Sequence, residues 1–332
     1  MDQITAEARL PHRALGARSG LEVSEIGLGL WAVAGSEWGP AEDEGTLGAI
    51  EAALDAGVDF FDTADVYGEG HSEELLGRAM SGRRDRFLVA TKIGWTDYDR
   101  ELDRSQYDTV GGLVAGVEGS LRRLGVDRVD VIQCHIDHLE SNTEVFIEGF
   151  RRLKEEGKVA AWGVSTSDLR HLERFNAEGD CDVLQTDYSI LNRTAEEAIL
   201  PYCLERGIGV IVRGPLAMGL LTGKYALTDT FPPGDFRRAW IEDSVQHDQL
   251  VRDLDVVDQL REVPPEGETL AEFALRFVRS NPAVATVIPG ARNRRQALSN
   301  AASGRLPLLS PAERGAVDRL VPPGGGRKIW PA

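Results

Sequence analysis

The sequence predicts an α/β chain whose main body is a single (β/α)8 barrel. Short apolar, β-branched runs recur along the chain, and longer amphipathic stretches separate them. Strands that alternate with helices lie parallel, and eight such units suffice to close a sheet on itself. The length of 332 residues fits, because barrels run long for one domain.

In order, the runs are EIGLGLW, VDFFDTA, RFLVATK, VDVIQCH, AAWGVS, CDVLQTDYS, IGVIVRG and VATVIPG. Near-continuous apolar character suits strands buried on both faces. Between them, EGTLGAIEAALDAG and GGLVAGVEGSLRRLG carry helical spacing, and the first ends on Gly57, suited to a C-cap. Ser72, followed by Glu73 and Glu74, reads as an N-cap with acids in the first turn. The barrel is expected over residues 21–315, after an N-terminal tail at 1–20. An irregular C-terminal tail is expected at 316–332, packed near the barrel mouth through Trp330. Run seven ends near Arg213 and run eight near Gly290, which leaves room for an insertion. Its middle, ALTDTFPPGDFRRAW, contains Pro232, Pro233 and Gly234 and predicts a long loop at about 221–250 on the binding face.

With 42% apolar and 27% charged residues the chain can bury a large core. A net charge of −17 argues against general binding to nucleic acid or to an anionic membrane face. A small anionic cofactor is still allowed, since local charge decides that. Cys134, Cys181 and Cys203 lack paired spacing, so neither a disulfide framework nor a zinc site is expected. His138, three residues after His135, has no third ligand at matching spacing, and no metal is expected. The start carries acids and lacks an apolar h-region, and no apolar run approaches the roughly 18 residues that span a bilayer. A cytoplasmic protein without a membrane partner is expected; oligomeric state is left open.

In a barrel, residues at the C-terminal ends of the strands face the active site. Here those are Trp31, Asp62, Lys92, His135, Ser165, Gln185, Arg213 and Gly290, in order. Buried alone, a charge is costly, but Asp62 and Lys92 on adjacent strands would offset each other. They could be no more than an ion pair holding the rim, with His135 a core histidine. Tyr67, on the following loop, points to chemistry instead. Its ordinary pKa of about 10 keeps the proton at neutral pH, and a neighbouring ammonium eases its release. Asp62 can orient Lys92, and His135 can hydrogen-bond a carbonyl oxygen from the other side. Trp31 and Trp95 end or follow strands and can wall an apolar pocket, with Trp38 and Trp240 as further candidates.

At these residues, from about Leu21 to Asn300, the chain resembles the aldo-keto reductase superfamily. The resemblance rests on FFDTADVYG, on the Thr-Lys of the third run and on D-x-x-Q-x-H in the fourth. It implies a (β/α)8 barrel in which Tyr67 is the general acid, Lys92 and Asp62 tune it, and His135 positions the substrate. It also implies NADPH, with NADH possible, bound extended and without a Rossmann fold. In keeping with that, no G-x-G-x-x-G follows a strand, and Gly68-Glu69-Gly70 does not match one. By resemblance Ser165 and Gln185 meet the nicotinamide carboxamide, and Gly214, Leu216, Gly219 and Lys224 of RGPLAMGLLTGKY hold the pyrophosphate. Arg213 stands where many members carry an aromatic ring, and a planar guanidinium can stack likewise. Thr166 stands where the family often has Asn. In IPGARNRRQALSN, Gly290 begins the last cofactor loop. Arg292 would grip the 2′-phosphate through bidentate pairing, while Gln296 and Asn300 reach the adenine.

Three functions compete. The first is NADPH-dependent reduction of an aldehyde or ketone to an alcohol, or its reverse, on a small-molecule carbonyl. The second is a cofactor-binding barrel acting as a regulatory or scaffold subunit, which an intact tetrad disfavours. The third is a Schiff-base aldolase on Lys92. Asp62 at pairing distance would keep that Lys protonated, and an aldolase leaves the motifs around Arg213 and Arg292 without a use.

Overall fold

The computed structural model describes residues 10–33, 38, 42–96 and 106–327. Two short strands, β1 (His12–Ala14) and β2 (Glu22–Ser24), come first and pair antiparallel. All eight apolar runs then form strands of one parallel sheet. They are β3 (Leu28–Gly29), β4 (Phe60–Asp62), β5 (Leu88–Ile93), β6 (Val129–Cys134), β7 (Val159–Ser165), β8 (Val183–Asp187), β9 (Gly209–Arg213) and β10 (Val284–Val287). Each neighbours the next in sequence. Parallel bridges from Ile26 to Val287 and from Gly29 to Gly290 join the first strand to the last, so the sheet is a closed barrel.

The helices are α1 (Asp43–Asp55), α2 (His71–Met80), α3 (Val110–Leu124), α4 (Thr143–Glu155), α5 (Leu169–Phe175) and α6 (Ile199–Arg206). They continue as α7 (Ala239–Glu242), α8 (Ser244–Leu260), α9 (Leu270–Arg279), α10 (Arg294–Ser303) and α11 (Pro311–Leu320). Contacts between α1 and α10 close the outer ring of helices where the strands close. Gly57 follows α1 at φ 93°, the left-handed stop its sequence calls for. None of the described helices is long and apolar enough to cross a membrane.

The strand period of two explains why the chemistry gathers at one mouth. Phe60, Ala90, Val131, Ala161, Val183 and Ile211 share one buried layer inside the barrel. Two residues further along each strand, on the same inward face, stand Asp62, Lys92, Gln133, Gly163, Gln185 and Arg213. One apolar layer therefore floors a polar one. Gly163 is required there, since a Cβ would lie 1.8 Å from the Val183 carbonyl oxygen.

Four expectations need correction. His12–Ala14, within the expected N-terminal tail, pairs in a hairpin, and Leu15 and Val23 of that hairpin pack onto the inner apolar layer. An uncovered barrel end would leave that layer in water. Ser72 is not an N-cap: α2 starts at His71, and the buried Ser72 hydroxyl accepts from Thr63 Oγ1 at 2.8 Å. Only the first part of 221–250 is a loop, because α8 begins at Ser244. Its Leu250, Leu254, Val257 and Leu260 face inward at helical spacing, and Asp243 caps it by accepting from the Gln246 amide at 2.9 Å. Residues 316–320 complete α11, which a Ser310–Glu313 capping box starts. Trp330 lies outside the described residues.

Candidate active site

Lys92 is the centre of the site. Its side chain and that of Asp62 are almost fully buried, with Nζ 2.5 Å from Asp62 Oδ1. Nζ also donates to the Thr63 carbonyl at 2.8 Å and to Tyr67 Oη at 3.1 Å. An ammonium has three N–H groups, and these three acceptors take them all. Burial by itself lowers the Lys92 ammonium below its ordinary range. Asp62 and Tyr67 outweigh that and hold the ammonium above its ordinary range. For Tyr67 burial dominates and raises the phenol above its ordinary value, and Lys92 offsets only part of this. The net direction is therefore opposite to the easing expected from Lys92 alone. Since Lys92 donates to Tyr67 Oη, the tyrosine's own O–H is left to point at a third group.

Asp62 is held from its other side. Gln185 Nε2 donates to Asp62 Oδ2 at 2.8 Å and to Gln133 Oε1 at 3.3 Å, while Gln133 Nε2 lies 3.5 Å from Asp62 Oδ2. Gln133 sits in the D-x-x-Q-x-H motif but has no role in the sequence reading. Both hydrogens of the Gln185 amide are engaged, so toward a ligand it is an acceptor. Ser165 pairs with Gln185 in strand register. Thr166 spends its hydroxyl on the chain, donating to the Asp137 carbonyl and accepting from Asp168 N at 3.0 Å. His135 lies edge-on to Tyr67 with ring centroids 5.7 Å apart, and Trp95 packs against it at 5.5 Å. His138 instead sits at the surface between Asp137 and Glu140, 2.7 Å from each.

The loop carrying Tyr67 is pinned from behind. Ser72 N donates to the Tyr67 carbonyl at 3.2 Å. Buried Glu73 accepts from Thr91 Oγ1 and Arg123 Nε, both at 2.6 Å. Burial pushes the nearby Asp65 carboxyl well above the ordinary range, with Glu73 adding to the shift. The two Glu73 contacts join residues far apart in sequence, and no local motif announces them.

From Asp62 and Tyr67 a cavity of about 530 Å³ runs outward between the ends of β9 and β10. Arg213, Gly214, Leu216, Gly219 and Lys224 line one side, and Gly290, Arg292, Gln296 and Asn300 the other, with Gln185 at its inner end. Trp31 and Trp38 also line it, whereas Trp240 is buried behind, against Tyr225, Phe231 and Phe236. Arg213 stands beside Asp187 in strand register; burial pushes the Asp187 carboxyl up to about 6, against the pull of Arg213 and Asn192. Arg292 N donates to Gln296 Oε1 at 2.8 Å, and Asn300 Nδ2 to the Gly290 carbonyl at 3.2 Å. Ala217, Met218 and Gly219 turn in succession through left-handed backbone at φ 46°, 55° and 94°. A Cβ on Gly219 would stand 3.1 Å from the Tyr225 ring. We therefore expect Gly219→Ala to cost about 1–2 kcal/mol of stability, read as a lower denaturant midpoint. An unchanged midpoint would contradict this account of the loop.

Comparison with known proteins identifies the family of the whole chain. The pattern of the Aldo/keto reductase family matches residues 25–322. The chain is 33% identical to "Aldo-keto reductase YhdN" of Bacillus subtilis over 280 residues, 83% of each chain. It is also 33% identical to "Probable voltage-gated potassium channel subunit beta" of Oryza sativa, covering 92% of this chain and 94% of that one. Among solved structures, an aldo-keto reductase from Klebsiella pneumoniae in complex with NADPH superposes with a TM-score of 0.71 at 27% identity, covering 94% and 95% of the two chains. The chain belongs to the aldo/keto reductase family and is an oxidoreductase.

Proposed function

We propose that this site reduces an aldehyde or ketone to an alcohol, or runs the reverse, with NADPH as cofactor and Tyr67 as proton donor. The observation that carries the proposal is the Lys92 ammonium, fully engaged by Asp62, the Thr63 carbonyl and Tyr67 Oη. It keeps Tyr67 a donor toward the cavity and stands ready to stabilise the oxygen once the proton has left.

NADPH, when bound, supplies the hydride. The residues along the cavity fit it. Arg213, Lys224, Arg292 and Arg295 gather there on a chain of net charge −17, a local basic seat for phosphates. The free Gln185 oxygen suits the N–H of a primary amide. His135, edge-on to Tyr67, would orient the substrate carbonyl, whose oxygen would take the proton from Tyr67 Oη as the carbonyl carbon is reduced. Lys92 then faces a tyrosinate, and Asp62 keeps the ammonium charged.

The rice relative's printed name belongs to a channel subunit, and a cofactor-binding subunit is the competing reading. The contacts of Lys92 with Asp62 and Tyr67, and of Tyr67 with His135, support the enzyme. The aldolase reading fails on the same contact, because a Schiff base needs a neutral amine and Lys92 is held charged. In this account Arg292 recognises the 2′-phosphate. Losing a charge-assisted pair of that kind costs about 1.5–3 kcal/mol. Arg292→Ala is accordingly expected to weaken NADPH binding roughly 10- to 100-fold and NADH binding far less. A fluorescence titration with both cofactors tests this, and equal weakening would count against it.

A further inference from the structure

Trp38 and Arg237, far apart in sequence, meet at the cavity. Arg237, on the insertion between β9 and α7, is only 9% exposed and pairs with Asp235, its Nε donating at 2.8 Å. Its guanidinium lies 4.8 Å from the Trp38 ring, 4.8 Å from Phe231 and 5.6 Å from Tyr225, and it donates to Tyr225 Oη. Trp38, between β3 and α1 in sequence, makes edge contacts with Trp31 at 5.2 Å and with Phe236 at 4.8 Å. Trp31 stacks on Phe236 at 5.6 Å, tilted 19°, and its ring lies 6.5 Å from Tyr67. On its other side Trp38 is tied by its backbone, since Arg292 Nη1 donates to the Trp38 carbonyl at 3.1 Å.

We propose that Trp38 is a specificity-determining residue, presenting with Trp31 an aromatic wall to the substrate, and that Arg237 is the positioning residue that holds it. The inference rests on the carbonyl-reductase reading of this cavity and names its preferred substrate class: an aldehyde carrying a flat, apolar substituent. Rings gain beyond area burial by stacking or by edge-to-face packing with other rings, and Trp31 and Trp38 lie in the same cavity as Tyr67. A short aliphatic aldehyde offers no ring to that wall. Arg237 acts through Trp38. A desolvated guanidinium over an indole holds more strongly than an exposed one, and Asp235 fixes its direction.

The test compares kcat/KM for 4-nitrobenzaldehyde and for propanal, with NADPH, in the native enzyme, Trp38→Ala, Arg237→Met and Arg237→Lys. Taking one indole away from a substrate ring corresponds to about a tenfold change. The ratio of aromatic to aliphatic kcat/KM is therefore expected to fall about tenfold in Trp38→Ala and in Arg237→Met. Arg237→Lys, which keeps a cation over the rings, is expected to retain most of it. NADPH affinity is measured separately, and any loss there acts on both substrates and cancels in the ratio. Should Trp38→Ala fail to fold, Trp38→Leu keeps apolar bulk while removing the flat face, and the same fall is expected. An unchanged ratio in Trp38 and Arg237 variants that turn over both aldehydes would overturn the wall. A native enzyme that binds NADPH but turns over neither aldehyde would overturn the reductase reading itself, and the wall with it.

Discussion

Tyr67→Phe is expected to lower kcat for carbonyl reduction by about 10²- to 10⁴-fold, the usual contribution of a positioned general acid. NADPH binding should be nearly unchanged, because the substitution removes one hydroxyl and leaves the ring beside Trp31 and His135. Steady-state kinetics and a cofactor titration on the same samples separate the two. The pH profile offers a second check. Burial holds the phenol above its ordinary value, so Tyr67 stays protonated through the neutral range. The reduction rate should therefore show no Tyr67 titration until the pH passes about 10, the ordinary tyrosine value. A fall near neutral pH that disappears in Tyr67→Phe would contradict the assignment.

Lys92→Met should have the second large effect, on stability as well as on rate. Removing the ammonium leaves Asp62, 2% exposed, with only the amides of Gln185 and Gln133 as partners. Breaking a buried pair in this way costs about 3–5 kcal/mol. The variant should unfold at clearly lower denaturant and lose most activity, since Tyr67 loses the cation that stabilises its ionised form. Replacing both partners, Asp62→Leu with Lys92→Met, should recover part of the stability and none of the rate, because no uncompensated charge remains. A double variant no more stable than Lys92→Met would show that the pair is not the source of the cost.

Much of the barrel was legible because one rule repeats. Five strands, β4, β5, β6, β8 and β9, place an apolar residue inside and, two positions on, a polar one at the mouth, as in Phe60 and Asp62 or Ala90 and Lys92. A run ending in a charge is thus both a strand and half of a site. The hairpin was not legible, because three residues such as His12–Ala14 are too few to show alternation. Helix α8 was hidden by the Pro-Pro-Gly segment before it, although Leu250, Leu254 and Val257 carry its period. Gln133, Glu73 and Arg237 were missed for another reason. Each takes its role from partners distant in sequence or on another face, Asp62 for Gln133, Arg123 for Glu73, Trp38 for Arg237. A sequence pattern can mark such a residue as polar and leave its partner unnamed. Tyr67 shows the same limit in electrostatics: its neighbour Lys92 could be inferred, but not how far burial outweighs it.

The cavity that reaches from Asp62 and Tyr67 to Arg292 is proposed to bring hydride and carbonyl together. The most direct measurement supplies NADPH deuterated at the transferring position together with 4-nitrobenzaldehyde, and follows the label by mass spectrometry. One deuterium on the alcohol carbon, formed at a rate that depends on Tyr67, is the predicted result. Tight NADPH binding without transfer of deuterium to that aldehyde or to propanal would contradict it and leave a cofactor-binding subunit in its place.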